Sequence, residues 1–147
     1  MLSQDFRAFV ELLNKHNVRY LIVGGYAVGI HGHPRYTGAL DVWISSDEET
    51  AKTMVQVMQE FGFGSFGFSQ SDFLADKNII QLGYPPFRID VLTSIDGVTF
   101  AECYLSKITM VDEGVSVNFI SLKDLRKNKE SSGRRRDLDD LENLNEG

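Results

Sequence analysis

The sequence predicts an α/β (α+β) fold in which helices cover a mixed β-sheet. Two observations carry this expectation. The coarse element order is αβαβαβ, then a strand, a small helix, a hairpin and two helices. The early strands are short continuous apolar runs, the pattern of strands buried on both faces.

Phe6, Phe9, Val10 and Leu13 recur at helical spacing, so residues 3–16 read as an amphipathic helix. "VRYLIV" reads as a buried strand that ends at Gly24 and Gly25, and "YAVGIHG" as a short helix stopped near Gly32. "ALDVWI" is the next strand. In "SSDEETAKTMVQVMQEFG" the pair Ser46 and Glu49 matches a capping box, with Ala51, Met54, Val55 and Met58 as the buried face. The methionines are core filler on this reading. "GFGSFGFSQ" is a flexible passage whose phenylalanines either line a base pocket or cover the sheet edge. "NIIQLGY" and "FRIDVLT" are strands parted by a Pro85-Pro86 turn, and "VTFAECYL" is a short helix. "KITMV" and "VSVNFI" form a hairpin across "DEG". Ser121 with Asp124 caps "LKDLRKNKE", and "RRRDLDDLENL" is a last helix with Leu138, Leu141 and Leu144 on one side.

A length of 147 residues and a hydrophobic share of 42% suit one domain, 1–147, with a single core. The formal charge of -6 argues against non-specific coating of nucleic acid. Arg126, Lys127, Lys129, Arg134, Arg135 and Arg136 nevertheless form a local basic run, suited to a triphosphate tail or an RNA backbone, or else paired with Asp137, Asp139 and Asp140. Cys103 is the only cysteine, which excludes an intrachain disulfide and fits a reducing compartment; it reads as a core residue. No signal peptide or membrane span is visible, so a cytoplasmic protein without membrane contact is expected.

The stretch "VGGYAVGIHGHPRYTGALDVW" concentrates the chemistry. Alternate strand residues share a face, so positions 39 and 41 project together. Carboxylates at both, joined by Asp90 from "RIDVL", would make a hard-cation site suited to Mg2+, with Mn2+ as a substitute. Position 39 is alanine, which leaves Asp41 and Asp90. Each lies in an apolar run and is costly to bury unpaired, so the alternatives are a metal site, a strand end in water, or pairing with Arg88 or Arg35. Gly24 and Gly25 allow a backbone to approach phosphate closely, in a spacing that is neither the Walker loop nor the dinucleotide fingerprint. Arg35 offers a fork of donors to phosphate and Thr37 can orient the turn. His31 and His33 make a poor zinc pair without a cysteine nearby.

This ordered set resembles the nucleotidyltransferases of the polymerase-beta-like superfamily, in particular small bacterial members related to the toxin-type enzymes of phage-defence and toxin–antitoxin systems. "VGGYAV" supplies the glycine motif, "RYTGALD" matches Arg-x-Thr-x-Asp-x-Asp at Arg35, Thr37 and Asp41 but not at Ala39, and "RIDVL" supplies the third carboxylate. The likeness continues through "ISLKDLRKNKESSGRRRDLDDLE". It implies the minimal nucleotidyltransferase fold and transfer of a nucleoside monophosphate from an NTP to an acceptor hydroxyl, on RNA, protein or a small molecule, with an antitoxin protein as a further partner. It implies that Gly24 and Gly25 cradle phosphates, that Asp41 and Asp90 hold Mg2+ with Asp90 as base, and that Arg35 with Lys127 or Lys129 steadies phosphates. Ala39 removes a ligand from that scheme and implies impaired catalysis, either by deliberate inactivation, the favoured history, or by natural drift. The alternative function is a non-catalytic module that binds a nucleotide or a protein.

Overall fold

A computed structural model describes residues 1–146. Helix α1 (Gln4–Lys15) opens on the Ser3 cap and buries the predicted stripe of Phe6, Phe9, Val10 and Leu13. Strand β1 (Tyr20–Val23) is buried along its whole length and runs straight into α2 (Gly24–Ile30). The two glycines are thus the first residues of the helix and not a loop before it. Strand β2 (Ala39–Ile44) and α3 (Glu48–Glu60) follow, then a 3-10 turn at Gly64–Phe66 and a short helix α4 (Gln70–Leu74).

Strands β3 (Ile79–Leu82) and β4 (Arg88–Leu92) flank the proline pair, and α5 (Phe100–Leu105) leads to the hairpin β5 (Ile108–Asp112) and β6 (Val115–Phe119). Helices α6 (Leu122–Ser132) and α7 (Arg135–Glu146) close the order. The six strands form one sheet in the order β3-β4-β2-β1-β6-β5. β1 pairs antiparallel with β2 and parallel with β6, and β2 pairs parallel with β4. The expected helix-covered mixed sheet is therefore what forms. Burial on both faces of β1 and β2 explains their apolar runs: Trp43 packs edge-on against Phe100 on α5, and Phe6 on α1 packs edge-on against Tyr26 on α2.

Four local expectations change. The α3 cap is Asp47, whose Oδ1 accepts from the Thr50 amide at 2.8 Å, whereas the Ser46 hydroxyl donates to the Phe73 carbonyl. Asp47 stands one residue nearer the helix, where a short carboxylate reaches the third amide of the first turn. On the same helix Val57 is fully buried and Val55 only half-buried. The passage 62–70 is partly ordered: Phe61, Phe63, Phe66, Phe68 and Phe73 form a run of ring contacts along α3 and α4, in which Phe63 and Phe68 pack against the core edge while Phe66 stays exposed. Finally, α7 turns away from its leucine face, since Leu138 is 45% exposed while Asp137, Asp140 and Leu144 are buried. The reason is electrostatic and lies in the site described next.

Replacing the α3 cap by Asp47→Ala is expected to destabilise the fold by about 1–2 kcal/mol in urea unfolding. A loss below about 0.3 kcal/mol would place the cap elsewhere.

Candidate functional site

Parallel pairing of β2 with β4 sets Asp41 beside Asp90 as Cα partners, and β1 adds Val23 on the other side of Asp41. Two rows down the ladder, Ala39 stands opposite Arg88. Since alternate residues share a face, Ala39, Asp41, Arg88 and Asp90 all line one side of the sheet, under a cavity of about 750 Å³. Gly24, Gly25, Arg35, Thr37 and Lys129 line the same cavity. The structure thus brings together the predicted residues except Lys127, which is exposed and stands outside it.

The glycines are required by space. Gly24 has φ +68°, and a Cβ there would lie 2.0 Å from Asp41 Oδ2. At Gly25 a Cβ would stand 2.8 Å from the Thr37 hydroxyl and 3.3 Å from Arg35 Nη1. Backbone, carboxylate, hydroxyl and guanidinium therefore crowd one corner, and only glycine leaves room for them. Thr37 donates to the Ala39 carbonyl at 3.0 Å, which braces the loop entering β2.

The two aspartates differ in environment. Burial, and then the neighbouring Asp90 charge, push the Asp41 carboxyl up to about 7, partly offset by Arg88. Asp90 is gripped by Arg88, whose Nη2 donates to Oδ2 at 3.1 Å. The second contact, Nε to Oδ1 at 3.0 Å, has ion-pair distance without hydrogen-bond alignment, so Oδ1 and Nε each lack a hydrogen-bond partner. An orphaned, buried carboxylate oxygen beside a second carboxylate is the donor chemistry of a hard cation. Among the described residues no group of three or more His, Cys, Asp or Glu converges as a metal cluster. With alanine at position 39, Asp41 and Asp90 are the two carboxylates of this face that could hold a cation, and Asp90 already meets Arg88.

The basic run does not form a single open patch. Lys129 is 2% exposed, and its Nζ lies 3.0 Å from Asp137 Oδ1 and 3.1 Å from Asp140 Oδ2. Arg35 makes a two-pronged bond to Asp140, Nε to Oδ1 and Nη2 to Oδ2, each at 2.9 Å. Arg134 pairs with Asp137, and Arg126 donates to the Leu144 carbonyl. A buried ammonium must meet carboxylates, so α7 presents Asp137 and Asp140 inward at i and i+3, and Leu138 falls outside. At both aspartates burial acts to raise the carboxyl, but hydrogen bonds and positive charge outweigh it and hold each below the usual range.

Lys77, Arg134 and Arg136 also line the cavity. Lys77 lies in the α4–β3 loop at φ +53°, and no periodicity or motif marked it. The inward pair on α7 was legible in principle, since Asp137, Asp140, Leu141 and Leu144 share helical spacing. Cys103 is buried as expected, and burial, reinforced by the Asp124 charge, pushes its thiol up to about 12. His31 meets the Ile120 carbonyl at 2.8 Å, a structural contact. No helix among the described residues is long and apolar enough to cross a membrane.

Two variants test this charge arrangement. Lys129→Met leaves two buried carboxylates short of a cation and is expected to cost about 3–5 kcal/mol in equilibrium unfolding. Asp41 has the opposite sign. Its folded pKa of about 7 exceeds the unfolded value near ~3.9, so its contribution is full below about pH 4 and is lost as pH rises through about 7. Asp41→Asn should therefore raise stability at pH 8, by up to about 4 kcal/mol, and have little effect at pH 4. Equal effects at both pH values in thermal melts would refute the buried-charge account.

No family model matches the chain, and no curated protein matches it. Solved structures do. A candidate nucleotidyltransferase from Thermotoga maritima aligns over 97% of this chain and 91% of its own, with a TM-score of 0.60 at 16% identity. An antigenic nucleotidyltransferase-like protein from Paracoccidioides brasiliensis aligns over 94% of this chain and 72% of its own, with a TM-score of 0.56 at 19% identity. At such identities the likeness establishes the architecture: this chain has a nucleotidyltransferase-like fold.

Proposed function

We propose that this chain is a nucleotidyltransferase-type protein that binds the phosphates of a nucleoside triphosphate at the Gly24–Gly25 bend, and that Ala39 impairs its transfer step. The observation that supports this most directly is the pairing of Asp41 with Asp90 next to two glycines where an added Cβ would collide with Asp41 and Thr37. The nucleotidyltransferase-like fold agrees with it.

In the proposed reaction an acceptor hydroxyl forms a bond to the α-phosphorus, the bond to the β-phosphate bridging oxygen breaks, and pyrophosphate leaves with the electron pair. Asp90, whose Oδ1 has no hydrogen-bond partner, takes the hydroxyl proton. Gly24 and Gly25 admit the phosphates close to the backbone, while Arg35 and Lys129 offer their remaining N–H groups. Asp41 and Asp90 would hold magnesium, or manganese in its place, which when bound lowers the pKa of the attacking hydroxyl and neutralises charge on the leaving group. The rest is positioning and fixed charge, with no covalent enzyme intermediate. Relationship to toxin-type enzymes, an antitoxin partner and an acceptor on RNA or protein belong to the same proposal.

The methyl group of Ala39 faces the cavity opposite Arg88 and binds no cation. That observation favours a second reading, in which the site retains nucleotide and no longer transfers it. Ala39→Asp separates the two. With α-labelled nucleoside triphosphates and magnesium or manganese, transfer onto RNA, protein or small molecules is expected to rise by at least about 100-fold over the parent chain. Absence of transfer with all four nucleotides would overturn the enzymatic reading, and metal-independent nucleotide binding unchanged by the substitution would establish the binding module.

A further inference from the structure

We propose that Asp140 is a positioning residue for the anion site, holding the Arg35 guanidinium so that Nη1 is presented at the Gly25 bend. The proposal rests on the reading that phosphates bind at that bend. It assigns a task to a helix residue remote in sequence from both the glycine and the carboxylate motifs.

A guanidinium carries five N–H donors in a rigid planar fork. Asp140 takes one from Nε and one from Nη2 along two parallel bonds of 2.9 Å each. This fixes the plane of the group as well as its place. The remaining nitrogen, Nη1, touches the Tyr36 carbonyl at 3.3 Å and lies 3.3 Å from the point a Cβ on Gly25 would occupy. The second N–H of Nη1 is therefore delivered to the glycine corner of the cavity.

Asp140 is itself immobilised. It is 3% exposed, and its Oδ2 also receives Lys129 Nζ at 3.1 Å, while Asp137 holds that ammonium from the other side. Lys129 thus keeps a partner without Asp140, but no other carboxylate pairs with Arg35 among the described residues. A carboxylate on the inward face of α7, beside Leu141 and Leu144, is expensive to bury. Its cost is offset by orienting two cations that line the cavity.

Inorganic tripolyphosphate, titrated by calorimetry at fixed ionic strength with magnesium present, tests the role. Asp140→Asn is expected to weaken binding about tenfold, since Arg35 is no longer held in plane. A pure charge effect has the opposite sign, because deleting a negative group beside an anion site tightens binding. In an Arg35→Met background only the charge effect remains, so the same Asp140→Asn change is expected to leave binding unchanged or tighter. Unchanged or tighter binding in the single variant, or the same tenfold loss in both backgrounds, would overturn the proposal, the latter by showing a merely structural part. If the parent chain binds no tripolyphosphate, the phosphate reading falls together with this one, whereas binding with additive losses removes only the role of Asp140. Should Asp140→Asn fail to fold, Asp140→Glu keeps the charge while displacing the carboxylate, and the same cycle applies with the same expected signs.

Discussion

Two carboxylates that share a row on neighbouring parallel strands repel each other, and the surroundings of Asp41 and Asp90 are organised by that repulsion. Burial is the larger burden, because it removes the water that would solvate and screen the pair. The structure answers unevenly. Arg88 grips Asp90, while Asp41 is left with a raised proton affinity against the Gly24 backbone. A buried pair of this kind is tolerated only where positive charge offsets it, as Arg88 does at Asp90.

The cations of the cavity are managed in the same way. Arg35 and Lys129 reach the cavity already bound to carboxylates of α7. Such pairing lets charged groups sit in a buried setting with their directions fixed. It also ties the loop before β2 to the two C-terminal helices, so the wall of the cavity is one connected network from Arg35 through Asp140, Lys129 and Asp137 to Arg134. Ala39 interrupts the acidic side of this balance, facing Arg88 with a methyl group.

The elements were legible where one physical rule acted alone. Apolar runs marked β1 and β2, helical spacing marked α1, and Ser121 marked the start of α6. The reading slipped where two local rules competed. Ser46 and Asp47 both qualify as caps, and adjacency to the helix decided for Asp47. On α7 leucine spacing competed with the need to pair the buried ammonium of Lys129 from α6, and the cost of an unpaired charge exceeded the gain from burying Leu138.

By itself the sequence determined the strand-borne pair of carboxylates, the two glycines and the loop that carries Arg35 and Thr37, because each depends on neighbours within a few residues and on strand alternation. Only the tertiary structure decided that Asp41 and Asp90 stand in register, that Lys77 joins their cavity and Lys127 does not, and that the basic run is divided between buried pairs and solvent. Register between strands far apart in the chain, and the partner of a buried charge, are set by packing over long sequence separations. No local pattern encodes them.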